Sequence, residues 1–139
     1  KINPYPITKK ALEHGKLLYD IYCGICHGEK GDGSGYLVRD DGKYPAQPAI
    51  LTSDEFTAAS NGRFYFAIMH GKNVMGSYAD KLSYEERWQV IHYIRALQAQ
   101  NKGLQYDENG NTLNKTDFIA STNKGVVAKN VSDSTAVAN

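Results

Sequence analysis

The 139-residue sequence has little of what several classes of protein require. It contains only two cysteines, so it cannot form the multiple disulfide bonds that hold small secreted domains together. Its 16 basic and 15 acidic side chains nearly cancel, which argues against the basic surface of a nucleic-acid-binding protein. No run of about 18 apolar residues is present, so no segment is predicted to span a membrane. The remaining composition is that of one domain with a modest core.

Three segments of different composition follow one another along the chain. The chain does not open at a methionine, and we expect a processed or partial product with any leader or membrane anchor upstream. Residues 1–8 contain two prolines and are predicted to be an extended lead-in. Residues 9–100 carry helical apolar periodicity and are predicted to form the domain. Residues 101–139 are predicted to be a polar tail, disordered or laid on a partner subunit, with Phe118 and Ile119 as anchors.

Capping residues indicate where helices of the central segment begin. Thr8 is a candidate N-cap for a first helix that runs into the cysteines. Thr52 or Ser53 is the candidate for a short helix further along. The clearest helix begins after Ser83, because Glu86, three residues later, completes a capping box.

The two cysteines stand three positions apart in CGICHG, and a histidine follows the second directly. Four interpretations compete for Cys23, Cys26 and His27. A thioredoxin-like redox pair would follow a strand, whereas a helical pattern precedes Cys23. A zinc site needs further ligands at close spacing, and the other histidines stand alone; a loop disulfide is the third interpretation. The motif favours the fourth, covalent attachment of one c-type haem, in which each thiol bonds to a vinyl group and His27 binds the iron.

A haem that only exchanges electrons needs a second axial ligand, and methionine is the usual ligand that raises the potential. Met75 lies in a glycine-flanked loop from which its side chain is free to reach the iron, and it is the predicted distal ligand. Met69 lies in a helix predicted to end at Gly71 and is interpreted as a core residue. His70 and Lys72 are the rivals of Met75.

Other polar residues have simpler interpretations. A histidine bound to haem usually donates its second ring N–H to a carbonyl, and Pro48 is the candidate acceptor. His14 is predicted to be solvated on the first helix, and His92 to lie at the surface or at a helix crossing. No paired-carboxylate catalytic arrangement is visible, because the acidic pairs match helix N-termini.

In their order along the chain, these features resemble a class I monohaem cytochrome c over roughly residues 9–100. The resemblance rests on Gly15 and Tyr19 of the first helix, the CGICHG motif, a glycine-rich loop, a proline-bearing loop, the Met75 loop and an aromatic-bearing last helix. Three stretches of the sequence support a narrower resemblance, to the monohaem cytochrome subunit of bacterial alternative complex III, a quinol:cytochrome c oxidoreductase. They are GKLLYDIYCGICHGEKGDGSGYLV, NVMGSYAD and LSYEERWQVIHYIRALQ.

The resemblance implies an all-α class I cytochrome c fold in which about four helices enclose the haem. The first and last helices would cross closely at Gly15, with Tyr19 packed on Trp88 or Tyr93. It also implies an electron-transfer protein rather than an enzyme, located on the periplasmic side of the bacterial inner membrane. Its partners would be subunits of a membrane respiratory complex and a redox partner cytochrome or oxidase, with membrane association through an upstream anchor or those subunits.

Three functions follow from these expectations. The first is a single-haem carrier within a membrane-bound respiratory complex, passing electrons from quinol oxidation toward a cytochrome c or a terminal oxidase. The second is a free periplasmic electron carrier. The third is a haem enzyme or sensor, which would require a distal ligand that exchanges.

Overall fold

The structure is a computed structural model that describes residues 2–36 and 47–114. Five helices and one antiparallel hairpin have their bounds within these ranges, which confirms the predicted all-α class of fold. None of these helices has both the length and the apolar character needed to cross a membrane. The elements are α1 (Lys9–Tyr22), α2 (Gly24–His27), α3 (Asp54–Ala58), α4 (Asn61–His70), α5 (Tyr84–Lys102), β1 (Tyr106–Asp107) and β2 (Gly110–Asn111).

Hydroxyl side chains cap the helices as the sequence predicts. Thr8 accepts a hydrogen bond from a backbone N–H in the first turn of α1. Ser53, rather than Thr52, caps α3. At the start of α5 both halves of the capping box form: the Ser83 hydroxyl accepts from the backbone N–H of Glu86, and the Glu86 carboxylate accepts from that of Ser83. Each bond satisfies a backbone donor that the helix itself leaves without a partner.

The first and last long helices, α1 and α5, cross at Gly15. A Cβ atom there would lie 2.2 Å from the carbonyl oxygen of Gln89, so only glycine permits this approach. One turn further along α1, Tyr19 packs on Tyr93 with ring centroids 5.3 Å apart. Trp88, the alternative partner for Tyr19, stacks on α4 instead.

Helix α5 contributes to two groups of buried side chains. The smaller group, called the back core, consists of Ile7, Ala99 and Tyr106. The larger group, called the cavity core, includes residues of α1, α4 and α5 and also Cys23. Its members are Leu18, Tyr19, Cys23, Leu51, Phe64, Ile68, Leu82, Trp88, Val90, Ile91, Ile94 and Leu97.

His92 is fully buried beside the back core, so its predicted position at the surface is wrong, and the alternative of a position at a helix crossing stays a prediction. Its Nε2 lies 2.7 Å from the carbonyl oxygen of Tyr5, and its Nδ1 lies 2.7 Å from the hydroxyl of Tyr106. Because a carbonyl can only accept, Nε2 carries the proton and Nδ1 accepts from the tyrosine. The lead-in and the hairpin cover this ring, and the helical pattern of α5 alone does not reveal them.

The chain packs on α5 before residue 9 and again after residue 100. In the lead-in, Asn3 and Ile7 have no exposed surface, and the Asn3 amide donates to the carbonyl of Trp88 over 2.9 Å. After α5, the hairpin places Tyr106 in the back core. The predicted domain boundaries remain predictions. The anchors Phe118 and Ile119 of the predicted tail lie outside the described residues.

Arg95, which the helical pattern places on the apolar face of α5, is also buried. Its guanidinium donates to the backbone carbonyls of Phe56, Thr57 and Ala59 and, over 2.9 Å, to the side-chain oxygen of Asn61. One side chain thereby holds the segment that joins α3 to α4 against α5. Residues on both sides of this segment, Phe56 and Phe64 among them, line the cavity described next.

Candidate functional site

The cysteine motif occupies the junction between α1 and α2. The backbone N–H of Cys23 donates to the carbonyl of Tyr19 over 2.8 Å and so closes the last turn of α1. The single turn of α2 follows at once and ends at His27. The Tyr19 hydroxyl donates to the carbonyl of Gly28 over 2.7 Å, which fixes the chain on the far side of the turn. Cys23, Cys26 and His27 all line one cavity.

The two thiols are not bonded to each other, and their environment is apolar. Burial raises the pKa of Cys23 to about 12, with the neighbouring Cys26 as a smaller cause. Burial also raises the pKa of Cys26. Redox-active cysteine pairs need a lowered pKa, because the thiolate is the reacting form. The site therefore disfavours the thioredoxin-like interpretation.

His27 presents one ring nitrogen to the cavity. Its Nδ1 lies 3.0 Å from the carbonyl oxygen of Ala49, which can only accept, so Nδ1 carries the proton and Nε2 has a free lone pair. Burial lowers the pKa of His27 and keeps the imidazole neutral. A neutral imidazole held by its other nitrogen is the form in which histidine binds metals.

The carbonyl of Ala49 accepts the hydrogen bond from His27, so the prediction that Pro48 is the acceptor is wrong by one residue. Pro48 does line the cavity, but its own carbonyl lies beside the amide of Gln47. The glycine-rich loop determines which carbonyl of the 47–51 segment lies beside the imidazole. The backbone N–H of Leu51 donates to the carbonyl of Gly31 over 2.8 Å, which aligns the Ala49 carbonyl with the imidazole.

The cavity has a volume of about 980 Å³ and mainly apolar walls. Its lining brings together all five residues that the sequence analysis singled out for cofactor binding: Cys23, Cys26, His27, Pro48 and Met75. The apolar lining includes side chains of α3, α4, α5 and the neighbouring loops: Leu51, Phe56, Phe64, Phe66, Ala67, Ile68 and Ile94.

The loop that carries Met75 is held by its own backbone. Lys72 and Met75 exchange two backbone hydrogen bonds, each 3.0 Å long. Gly71, with a φ of 75°, ends α4, and a Cβ there would lie 2.5 Å from the carbonyl oxygen of Met75. Glycine is therefore required where the helix turns into the loop. This tight turn presents Met75 to the cavity.

The rivals of Met75 are placed differently. Met69 does not line the cavity, and the hydroxyl of Ser77 donates to its backbone carbonyl. The ring of His70 packs on Phe66, with centroids 4.5 Å apart, and it also does not line the cavity. Lys72 lines the cavity beside Met75. The distal-ligand assignment to Met75 remains a prediction.

Haem c fits the residues of this cavity. A large apolar space suits a porphyrin, and two adjacent thiols, a neutral imidazole and a soft thioether suit its vinyl groups and iron. Within residues 2–36 and 47–114, no group of three or more His, Cys, Asp or Glu side chains could hold a metal ion. Zinc bound by side chains alone is therefore a poor fit.

Comparison with known proteins points the same way. The sequence profile of the family described as cytochrome C oxidase, cbb3-type, subunit III, matches residues 10–94. Among solved structures, the chain is similar to a chain of the structure described as the Kuenenia stuttgartiensis reducing HAO-like protein complex. The two chains share 31% sequence identity, with a TM-score of 0.57. The match covers 68% of this chain and 46% of that one, so this chain spans less than half of that relative. No curated protein matches the chain significantly.

The fold and the cavity together define a cytochrome c domain, and this class implies haem c as the cofactor. The chain belongs to the family of cbb3-type cytochrome C oxidase subunit III, whose profile covers more than half of its length. The predicted class of protein, a cytochrome c that transfers electrons, is confirmed at this level. The narrower resemblance to alternative complex III stays a proposal.

Sequence reasoning missed two parts of the site. The carbonyl of Ala49 has no side-chain pattern that could identify it, because any residue supplies a carbonyl. Arg63 lines the cavity from the first turn of α4, where the sequence indicates only a helical arginine. Its position beside an otherwise apolar segment, FYFAIM, was the available signal.

Proposed function

We propose that this chain carries one covalently bound haem c and transfers electrons within a membrane-bound respiratory complex. The observation that supports the proposal is the shared cavity of Cys23, Cys26, His27 and Met75. Two thiols for attachment and two different axial donors make a set that suits electron transfer, because both axial positions of the iron would be filled.

Each of these residues has a distinct task in the proposal. Cys23 and Cys26 hold the cofactor by thioether bonds, and His27 supplies the proximal nitrogen, oriented by Ala49. Met75 supplies the distal sulfur from its pinned loop. When bound, haem c supplies an iron that gains and loses one electron. The apolar walls keep water away from it, and the soft thioether favours the reduced state.

The finer part of the proposal concerns the electron path. We place the chain between quinol oxidation and a cytochrome c or terminal oxidase, on the periplasmic side of the bacterial inner membrane. Membership of an oxidase-subunit family supports a respiratory role, and the similar solved structure is described as a protein complex. Partner subunits, or an anchor upstream, would hold the chain at the membrane.

Haem staining after denaturing electrophoresis tests covalent attachment. We expect a stained band at the size of the chain that survives extraction with acid acetone, and one haem iron per chain. Extraction of all the haem by the acid would refute covalent attachment. A far-red absorption band of Met-ligated ferric haem is expected in the same preparation. Its absence, with ready binding of small ligands, would instead favour an enzyme or sensor with an exchangeable distal ligand.

Purification of the intact membrane complex tests the finer proposal. We expect the chain to copurify with a quinol-oxidising or oxidase subunit and to be reduced when a quinol is added. Recovery of the holoprotein free of all membrane subunits would favour the free periplasmic carrier.

A further inference from the structure

Three charged side chains line the mainly apolar cavity among the described residues: Glu55, Arg63 and Lys72. Arg63 lies in the first turn of α4, where the hydroxyl of Ser60 accepts its backbone N–H over 3.1 Å. The capped helix therefore fixes the point from which the arginine side chain reaches the cavity. A cation at the edge of an apolar space is the arrangement that receives an anionic group of a ligand.

The guanidinium of Arg63 is held in place but has donors left to use. Its Cζ atom lies 4.8 Å from the ring centroid of Phe56, which also lines the cavity. Among the described residues, its one side-chain hydrogen bond is a long 3.4 Å contact with Glu55, and both side chains are substantially exposed. A guanidinium has five N–H donors, and a single long contact leaves most of them for another acceptor.

Arg63 and Cys23 lie near different parts of α4. The backbone N–H of Tyr78 donates to the carbonyl of Ile68, and the Tyr78 ring packs on Tyr22, the neighbour of Cys23. Cys23, which also shares the cavity core with Ile68, is therefore on the side of the later part of α4. At 1.5 Å per residue, Arg63 lies about 7.5 Å before Ile68 along the helix.

We propose that Arg63 binds the carboxylate side chains of haem c; this inference rests on the proposed function. Haem carries its two vinyl groups on one edge of the porphyrin and its two propionates on the opposite edge. Attachment at Cys23 and Cys26 would fix the vinyl edge, and the carboxylates would then be directed away from the thiols, where Arg63 could receive them from the first turn of α4. The planar fork of arginine matches a carboxylate with two parallel hydrogen bonds, and Phe56 supports its face.

The proposal gives Glu55 a role of opposite sign. Its carboxylate shares the Arg63 guanidinium and so competes with the haem carboxylates for the same donors. A cation beside the haem carboxylates stabilises the ferrous state, which has one positive charge fewer than the ferric state. Removing Arg63 should therefore lower the reduction potential, and removing the competing Glu55 should raise it.

Redox titration of the holoprotein tests the proposal with Arg63→Met, Arg63→Lys, Glu55→Gln and the double variant. We expect Arg63→Met to change the equilibrium constant for electron exchange with a mediator about threefold to tenfold toward the oxidised haem. Its potential should also rise more steeply as the pH falls, because the haem carboxylates then take up protons at higher pH. Arg63→Lys should show a smaller change, since lysine keeps the charge but lacks the fork.

Glu55→Gln should shift the equilibrium constant for electron exchange in the opposite direction. This shift should be smaller when Arg63 is also replaced, because Glu55 acts by competing for the Arg63 donors. Lys81→Met is the matched control: Lys81 is an exposed cation that does not line the cavity, and its loss should leave the pH profile unchanged. The other titratable side chains that line the cavity are unchanged in every variant. They are Tyr22, Cys23, Cys26, His27, Lys72 and Tyr78.

The outcomes separate this inference from the proposed function. Wild-type protein that binds no haem would refute the proposed function and this inference with it. Holoprotein in which Arg63→Met keeps the wild-type potential and pH profile would overturn only the role of Arg63. Equal shifts in Arg63→Met and Lys81→Met would also overturn it, because they would show a general effect of surface charge. Far-UV circular dichroism and haem content check that each variant is folded and loaded.

Discussion

Helix α5 contacts two different regions of the molecule, the back core on one side and the cavity on the other. Beside the back core, the lead-in and the hairpin cover His92, and both of its ring nitrogens have partners from the chain. On the other side, Ile94 lines a cavity of about 980 Å³ whose lining also includes Cys23, Cys26, His27 and Met75. The back core is thus completed by the polypeptide, whereas the cavity presents donors suited to an added group.

This difference indicates that stability and cofactor properties can be changed separately. Substitutions of the proposed ligands at the cavity should alter haem binding or potential, because these side chains are donors to the added group. Substitutions at the back core should alter the free energy of unfolding and leave the potential unchanged. The four predictions that follow test this separation.

The largest effect is expected for His27→Ala. This change removes both the proposed iron ligand and the bond to Ala49, and we expect no stable holoprotein in the absorption spectrum or the haem stain. His14→Ala is the matched control on α1, because the contact of His14 among the described residues is with Glu86 at a partly exposed site. The control should load haem normally and lose at most about 1 kcal/mol of stability. A normal haem spectrum in His27→Ala would contradict the assignment of the proximal ligand.

Met75→Ala should retain covalent haem but lower its reduction potential by on the order of 0.1 V, because a soft ligand that favours ferrous iron is lost. The iron should also bind small ligands, which absorption spectroscopy detects. Met69→Ala is the control, since Met69 does not line the cavity. A large fall in potential for Met69→Ala and none for Met75→Ala would reverse the distal-ligand assignment.

Tyr106→Phe tests the back core. It removes the hydroxyl that donates to His92 and leaves a buried ring nitrogen without that donor, so the free energy of unfolding should fall by about 1–3 kcal/mol. Denaturant titration measures the fall, and Tyr36→Phe, at a tyrosine that is 66% exposed, is the control. The haem potential should not move. A potential change as large as that of Met75→Ala would show that the two regions are not separable.

The smallest effect is expected for Glu86→Gln, at the capped start of α5. The backbone N–H of Ser83, and next the contact with His14, lower the pKa of Glu86. A carboxyl group whose pKa is lowered by folding stabilises the protein at pH values above its ordinary pKa. This stability is lost as the pH falls through the pKa of the folded state.

At neutral pH the free energy of unfolding of the wild type should therefore exceed that of Glu86→Gln by about 0.5 kcal/mol, a small difference because the site is partly exposed. The difference should disappear in acid. Chemical unfolding at several pH values measures it. A gap that persists in acid would show that the carboxylate charge is not its source.

Local patterns predicted the parts of this structure that depend on neighbours in sequence. The caps at Thr8 and Ser83 were predictable because each cap bonds within the next three residues. The junction of the cysteine motif with the end of α1 was predictable for the same reason. The close crossing at Gly15 was implied by the family resemblance rather than by the pattern itself.

The errors concern partners that are distant in sequence. The acceptor for His27 depends on how the 47–51 segment packs on the glycine-rich loop, a register that Pro48 and its neighbours do not encode locally. The burial of His92 depends on the Tyr5 carbonyl, 87 positions away. The partners of Arg95, the carbonyls of Phe56, Thr57 and Ala59 at the end of α3, are 36 to 39 positions away and were not predicted. None of these contacts leaves a periodic trace in the sequence.

The bond from Asn3 to Trp88 joins residues that are 85 positions apart, and its consequence lies in the order of maturation. The entropy lost on closing a loop grows with its length, so this closure is a late event, whereas the turn that holds both cysteines is local and can form early. In the finished fold Cys23 is only 9% exposed. We therefore expect the proposed attachment of haem to precede the meeting of these two segments on α5. A variant that weakens the packing in this region, such as Tyr106→Phe, should lose stability without losing its yield of attached haem.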